Sequence, residues 1–454
     1  MNEILEAPLE KPTVTPATRL RFAIVGTGGR SWLFSQALIT EYQAEGVLVA
    51  FCDTNRTRMR FYNEEIQRVS EGAAEEVPMY LAADFDRMVS EVKPEVVIVC
   101  SIDRTHHLYI VRAMELGCDV ITEKPLTTDV EKCRLILDAV ERTGRRLTVT
   151  FNYRYAPVRS RVKELLDAGL IGEVKSVHFE WLLDTGHGAD YFRRWHRDKQ
   201  NSGGLMVHKA THHFDLVNWW LDSTPETVFA FGNLGFYGKE NAEKRGIETF
   251  YERGTDSSEA VNDPFALNMR KSDNLVNLYL NAEHEDGYKR DLNVFSNGIS
   301  IEDTMNVLVR YRSGAQMSYS LHAYAPWEGY RIAFNGTKGR IELNHQEHSY
   351  VNAQDGGLRE GRSSSEQVLL MPHFEKPQVI EIPKNAGGHG GGDPLMLEDI
   401  FRPGKHGDPL GRAANHLDGA RSILTGIAAN ISFQTGQPVQ VDELLRLEDW
   451  PQAE

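Results

Sequence analysis

The chain has 454 residues, room for two or three domains, each with its own core. With 41% hydrophobic and 25% charged residues, its composition is that of an ordinary globular protein. A net charge of -15 argues against nucleic acid or an anionic membrane as partner, and no apolar run approaches the length of a membrane span.

Residues 1–18 carry acids and prolines without the apolar stretch of a secretory signal, and read as a flexible tail. Cys52, Cys100, Cys118 and Cys133 lack metal-type spacing and are expected as buried, reduced thiols of a cytoplasmic protein. No metal site is expected.

Residues 19–151 read as one domain. The run 21–25 (RFAIV) is a buried-strand pattern, followed by Gly26, Thr27, Gly28, Gly29, Arg30 and Ser31 and then a helix-like stretch from Trp32. Strand, glycine turn and helix form the setting in which backbone N–H groups and a helix N-terminus receive a pyrophosphate. Ser31 takes the place of the third glycine of G-x-G-x-x-G. A second strand, 47–52, ends in Asp53, at the distance along the chain expected of a carboxylate that binds the adenosine ribose diol. A carboxylate there repels a 2′-phosphate, which favours NAD over NADP; Arg56 and Arg58 follow closely and could soften the preference.

A third core strand, 96–100, leads into the loop Ser101, Ile102, Asp103, Arg104, Thr105, His106. A helix at 109–116, a strand at 119–122, a helix at 130–143 and a strand at 146–151 complete an alternation that predicts a doubly wound parallel sheet. The strand at 119–122 delivers Glu123, Lys124 and Pro125 to the sheet's carboxyl edge, where ligands bind in such folds.

This domain resembles the Gfo/Idh/MocA oxidoreductases, the glucose–fructose oxidoreductase and inositol dehydrogenase group. The resemblance rests on GTGGRS after a strand, on Asp53, on the loop SIDRTH and above all on EKP at the end of a later strand, and it covers most of the chain. It implies an N-terminal Rossmann domain and a C-terminal α/β domain with an open, mainly antiparallel sheet, which often forms a homo-oligomer interface (dimer or tetramer). It implies that Lys124 stands beside the nicotinamide and the substrate, and that His106 lies in the loop flanking the nicotinamide ribose. Ser101, Asp103 and Glu123 would share the cofactor edge with the glycine turn. Ile102 stands where the family often has proline.

The second domain is expected over 152–454. The stretch 205–221 (LMVHKATHHFDLVNWWL) has apolar positions at helical spacing, so a single helix should present His208 and His212 on one face. In the resembled family this helix usually reads GG-x-x-x-D-x-x-x-H; His212 fits the histidine, but His208, followed by Lys209, replaces the acid. Three readings compete for the two imidazoles: a structural pair, acid–base and substrate-binding groups, or metal ligands. The absence of the Glu of H-E-x-x-H weighs against the last. Residues 235–305 are long, polar and weakly periodic, the mark of an insertion that serves as lid, interface arm or disordered segment. Strand patterns then resume at 305–311, 315–321, 330–335 and 339–343 and suggest an antiparallel meander. A helix is expected at 394–401 with Asp393 as N-cap, after a glycine-rich stretch holding His389, and an amphipathic helix at 416–434.

The function these features point to is NAD-dependent oxidation of a secondary hydroxyl of a sugar, glycoside or cyclitol. Lys124 or His212 would take the hydroxyl proton, with His208 nearby; Lys124 would need its pKa lowered by burial and neighbouring cations. Tyr153, Arg154, His187, Trp195, Lys209 and His389 are expected substrate contacts. The alternative is a redox-neutral glycosidase or lyase with tightly held NAD, acting by oxidation, elimination, hydration and re-reduction. A third, non-enzymatic reading is a cofactor-sensing binding protein.

Overall fold

A computed structural model describes residues 19–348, 365–382, 388–405 and 407–450, and the expected tail lies outside them. Six strands, β1 (Leu20–Val25), β2 (Gly46–Asp53), β3 (Met79–Leu81), β4 (Val96–Val99), β5 (Asp119–Thr122) and β6 (Leu147–Val149), form a parallel sheet in the order β6-β5-β4-β1-β2-β3. Every residue of β4 is buried, as is the Phe22–Val25 part of β1, because helices cover both faces and leave no position for a polar side chain. The strand Ala414–Asn415 returns from the far end of the chain and pairs antiparallel with β6.

The second sheet contains β7 (Val174–Asp184), β8 (Pro225–Asn233), β9 (Thr304–Tyr311), β10 (Gln316–Ala325), β11 (Glu328–Gly336), β12 (Gly339–His348), β13 (Ser365–Pro372) and β14 (Gln378–Ile380). Its order is β14-β13-β12-β11-β7-β10-β9-β8, with the strand Val439–Gln440 beyond β8. β9 and β10 alternate between buried and more exposed residues, the signature of a sheet with one covered face. The expected meander is only partly realised. β10 and β11 follow each other in sequence but are separated by β7, which runs parallel to β10. β7 buries Val177, Phe179, Trp181 and Leu183, and a strand with that much apolar surface belongs at the sheet's centre.

The expected single helix at 205–221 is two helices, Leu205–His208 and Thr211–Leu221. The break lies where the helix His416–Thr435 presses close: a Cβ on Gly426 would stand 2.3 Å from the Met206 carbonyl oxygen. The helix expected from Pro394 begins earlier and spans Gly388–Phe401, with Pro394 inside it. Asp393 is therefore not its N-cap; the carboxylate binds Asn152 and Arg30 instead. His389 belongs to this helix, and its side chain lies outside the described residues.

The insertion at 235–305 is packed rather than loose. It buries Tyr237, Met269, Leu278, Val294 and Phe295. The Asp303 carboxylate accepts hydrogen bonds from the N–H groups of Gly235, Phe236 and Tyr237, and Arg290 grips Asp190 of the helix His187–Arg193 through two bonds of 2.6 and 2.9 Å. Cys52, Cys118 and Cys133 are buried, while Cys100 is only partly so and borders the cleft described next.

Candidate active site

A cleft of about 580 Å³ runs along the carboxyl edge of the parallel sheet and is closed from above by the second domain and its insertion. Its floor is the glycine turn. Gly26 has φ +87°, and a Cβ there would meet the backbone of Cys100 and Ser101 at 2.7 Å, so only glycine lets β1 and the loop after β4 approach this closely. Gly28 faces open space. Ser31 is buried, and its hydroxyl donates to the Gly28 carbonyl at 2.8 Å, which tightens the turn from within.

Asp53 lies at one end. Its carboxylate accepts from the Thr27 N–H (2.5 Å), the Thr27 hydroxyl (2.8 Å) and the Asn55 N–H (2.9 Å), and still borders the cleft. Thr27 thus acts by holding Asp53, being itself fully buried. Arg30 bridges two carboxylates, Glu123 at 2.7 Å and Asp393 at 3.1 Å, and so ties the glycine turn to the end of β5 and to the second domain. The His106 ring spans the Pro125 and Ser101 carbonyls at 2.8 and 3.0 Å, joining the loop after β4 to the turn that carries Lys124. Burial pushes its pKa below the ordinary histidine value, against the pull of the two carbonyls.

At the other end Lys124 and His212, one from each domain, line the same cleft. The Lys124 ammonium donates to the His208 carbonyl at 3.4 Å. His212 stacks on Tyr153 with ring centroids 4.1 Å apart. The His208 ring meets the Asp103 carboxylate at 2.5 Å. The acid absent from position 208 is thus supplied through space, from the loop after β4. Burial pushes the Asp103 carboxyl well above its usual range, with Lys124 opposing.

The remaining expected contacts divide. Trp195 lines the cleft, stacked 3.6 Å on His196. Lys209 also borders it, although 2% exposed, and donates to the Tyr153 hydroxyl at 3.2 Å. Tyr153 is a supporting ring, held between His212 and the Arg159 guanidinium. Arg154 is turned away: it makes a buried, two-bond ion pair with Asp215 (2.6 and 2.8 Å) and donates to the Gly411 carbonyl. Neither does His187 line the cleft. Its ring bonds Glu328 at 2.6 Å and Tyr191 at 3.0 Å, and it is Tyr191 that reaches the cleft. Behind it Asp184, Glu328 and His348 bring potential ligand atoms within 4.8 Å of one another. His348 pairs with Asp184 there at 3.1 Å, and none of the three borders the cleft.

Sequence reasoning missed Tyr191, Arg194 and His196, which form the wall facing His208, and Tyr279, Asp286 and Tyr288 of the insertion. The run YFRRWHR at 191–197, rich in rings and cations beside Trp195, was the available signal. For the insertion residues there was none, because their place depends on contacts made far from them in sequence.

Sheet, glycine turn, Asp53 and the Lys124 edge together define an oxidoreductase built on a dinucleotide-binding domain. Residues 20–151 match the NAD-binding Rossmann fold, and residues 163–441 the C-terminal alpha/beta domain, of the Gfo/Idh/MocA oxidoreductases, and the chain belongs to that family. YteT of Bacillus subtilis (strain 168), provisionally named an oxidoreductase, is 41% identical over 385 residues, covering 82% of this chain and 87% of the relative. Inositol 2-dehydrogenase of Rhizobium meliloti (strain 1021) is 28% identical over 213 residues, covering 46% of this chain and 58% of the relative. An oxidoreductase from Agrobacterium radiobacter, solved in complex with NAD+, L-tartaric acid and magnesium, has the same fold, with a TM-score of 0.62 at 14% identity over 94% of this chain and all of that one. The bond-cleaving alternative drawn from the sequence gains no support from these relatives. No helix among the described residues is long and apolar enough to cross a membrane.

Proposed function

We propose that the protein oxidises a secondary hydroxyl of a sugar, glycoside or cyclitol with NAD as hydride acceptor. The observation that carries this reading is the convergence of Lys124 and His212, from separate domains, on one cleft whose far end holds the glycine turn and Asp53. The residues fit a dinucleotide: the glycine turn leaves room for a pyrophosphate at Gly28, and Asp53 borders the cleft where ribose hydroxyls would lie. The inositol dehydrogenase among the relatives supports the substrate class.

When bound, the nicotinamide supplies the hydride acceptor. The chain's own groups handle the proton. Lys124 takes it from the reacting hydroxyl, or passes that task to His212. The Asp103 carboxylate orients His208, whose carbonyl in turn holds the Lys124 ammonium at 3.4 Å. Lys209 adds positive charge near the alkoxide that forms as the proton leaves. Tyr191 and Trp195, which line the cleft, supply apolar surface for the C–H groups of a sugar. The test is to offer the purified protein NAD with a panel of cyclitols, aldoses and glycosides and follow nicotinamide absorbance. Reduction with at least one of them is expected, and none across the panel contradicts the reading.

A further inference from the structure

The adenosine end of the cleft is completed by the insertion of the second domain. Its segment 279–288 crosses onto the dinucleotide domain, where the Tyr279 hydroxyl accepts a hydrogen bond from the Gly29 N–H at 3.1 Å. The Asn55 side chain donates to the Ala282 carbonyl at 2.8 Å. Glu285 then lies across the N-terminus of the helix Arg56–Val69, accepting the N–H groups of Arg56 (2.6 Å) and Thr57 (2.8 Å). Its neighbour Asp286 pairs with Arg58, whose guanidinium also stands 3.6 Å from Asp53 and near the Tyr288 ring. Asp53, Arg58, Asp286 and Tyr288 all border the cleft.

Two features beside Asp53 would otherwise welcome a phosphate on the adenosine ribose: free N–H groups at a helix N-terminus, and an arginine. Both are taken, each by a carboxylate of the insertion. Two carboxylates, Asp53 and Asp286, face the Arg58 guanidinium in a space where its side chain is 11% and that of Asp286 19% exposed, and Glu285 adds a third negative charge at the adjoining helix N-terminus, 3.8 Å from Arg60. A dianionic 2′-phosphate brought here would meet like charge at short range and find its cationic partner engaged.

We propose that the Glu285–Asp286 pair, delivered by the second domain, fixes the choice of an unphosphorylated adenosine ribose, so that Arg58 serves the insertion and not a cofactor phosphate. The proposal rests on the dehydrogenase reading above. It gives the second domain a part in cofactor choice, which Asp53 alone does not decide.

The test is direct binding of NADH and NADPH, followed by nicotinamide fluorescence, to the wild-type protein, to Asp286→Asn, and to Asp286→Asn combined with Arg58→Met. Asp286→Asn keeps the side chain's shape, removes one charge and releases Arg58. The ratio of NADPH to NADH affinity should rise roughly tenfold, as expected when a like charge beside an anion is removed. The gain should vanish in the double variant, since it depends on the freed guanidinium. An unchanged ratio, or two affinities that fall together, overturns the proposal and leaves the dehydrogenase reading in place. A wild-type protein that binds neither dinucleotide overturns both.

Discussion

The two ends of the cleft are built differently. At the ribose end each carboxylate is pinned by protein donors: Asp53 by Thr27 and Asn55, Glu285 by Arg56 and Thr57, Asp286 by Arg58. At the Lys124 end the walls are rings in contact, with Trp195 on His196, His196 against His208 at 4.2 Å, and His212 on Tyr153. The first end holds charge in fixed positions. The second offers shape and a small set of titratable groups. The contrast implies that cofactor choice and substrate chemistry can be altered separately.

The comparison can be broken most severely from behind the ring-walled end. Arg154→Met leaves Asp215 buried without its cation and should cost about 3–5 kcal/mol of stability. Urea unfolding measures this; a change within error would mean the pair does not hold that wall. Next in size is Asp103→Asn, which replaces the carboxyl group bonded to His208 with an amide. Turnover should fall by about a hundredfold, the lower end of what a proton-transfer group supplies. NADH affinity should stay as it was, and the acid limb of the pH–rate profile should move. If NADH affinity falls and turnover does not, the two ends are not separable.

The smallest effect concerns His196 and His213, whose pKa values burial pushes well below the ordinary histidine value. A histidine that is harder to protonate folded than unfolded contributes stability above the unfolded value of about 6.5, and that contribution is lost as pH falls below it. The melting temperature should therefore drop between neutral and mildly acidic pH. His196→Phe should lessen the drop by about 2–4 °C, the size of about a 1 kcal/mol change in a domain of this class. An identical pH dependence in the variant would show that His196 is not buried neutral.

The same contrast governs how much could be read from the chain. The glycine turn, Asp53 and the Glu123-Lys124-Pro125 edge sit next to the strands that position them, so local pattern sufficed. The doubly wound parallel sheet was legible for the same reason, from strand–helix alternation, whereas the mainly antiparallel sheet was implied by the family resemblance and its strand order was not legible. The second domain's contribution was less so. The break near Lys209 follows a helix against which the helix beginning at His416 packs closely, and no local propensity records that contact. Arg154 looked like a sugar ligand because it follows a strand end beside Tyr153; its partner Asp215 is visible only once the chain has folded. Asp103 was placed at the cofactor edge from its loop, but its contact with His208 joins residues on two domains. The insertion gave no periodic signal because its order comes from ion pairs and backbone bonds with distant partners such as Asp190 and the Arg56–Val69 helix.

The central claim, that an ammonium at the edge of the dinucleotide sheet removes the substrate proton beside an imidazole from the other domain, is tested most directly by Lys124→Ala. With a substrate found in the panel, NADH binding and turnover are measured on the same preparation. The account predicts unchanged NADH affinity with turnover lowered by about a hundredfold to ten-thousandfold, the range of a general base. Turnover equal to that of the wild-type protein would contradict it.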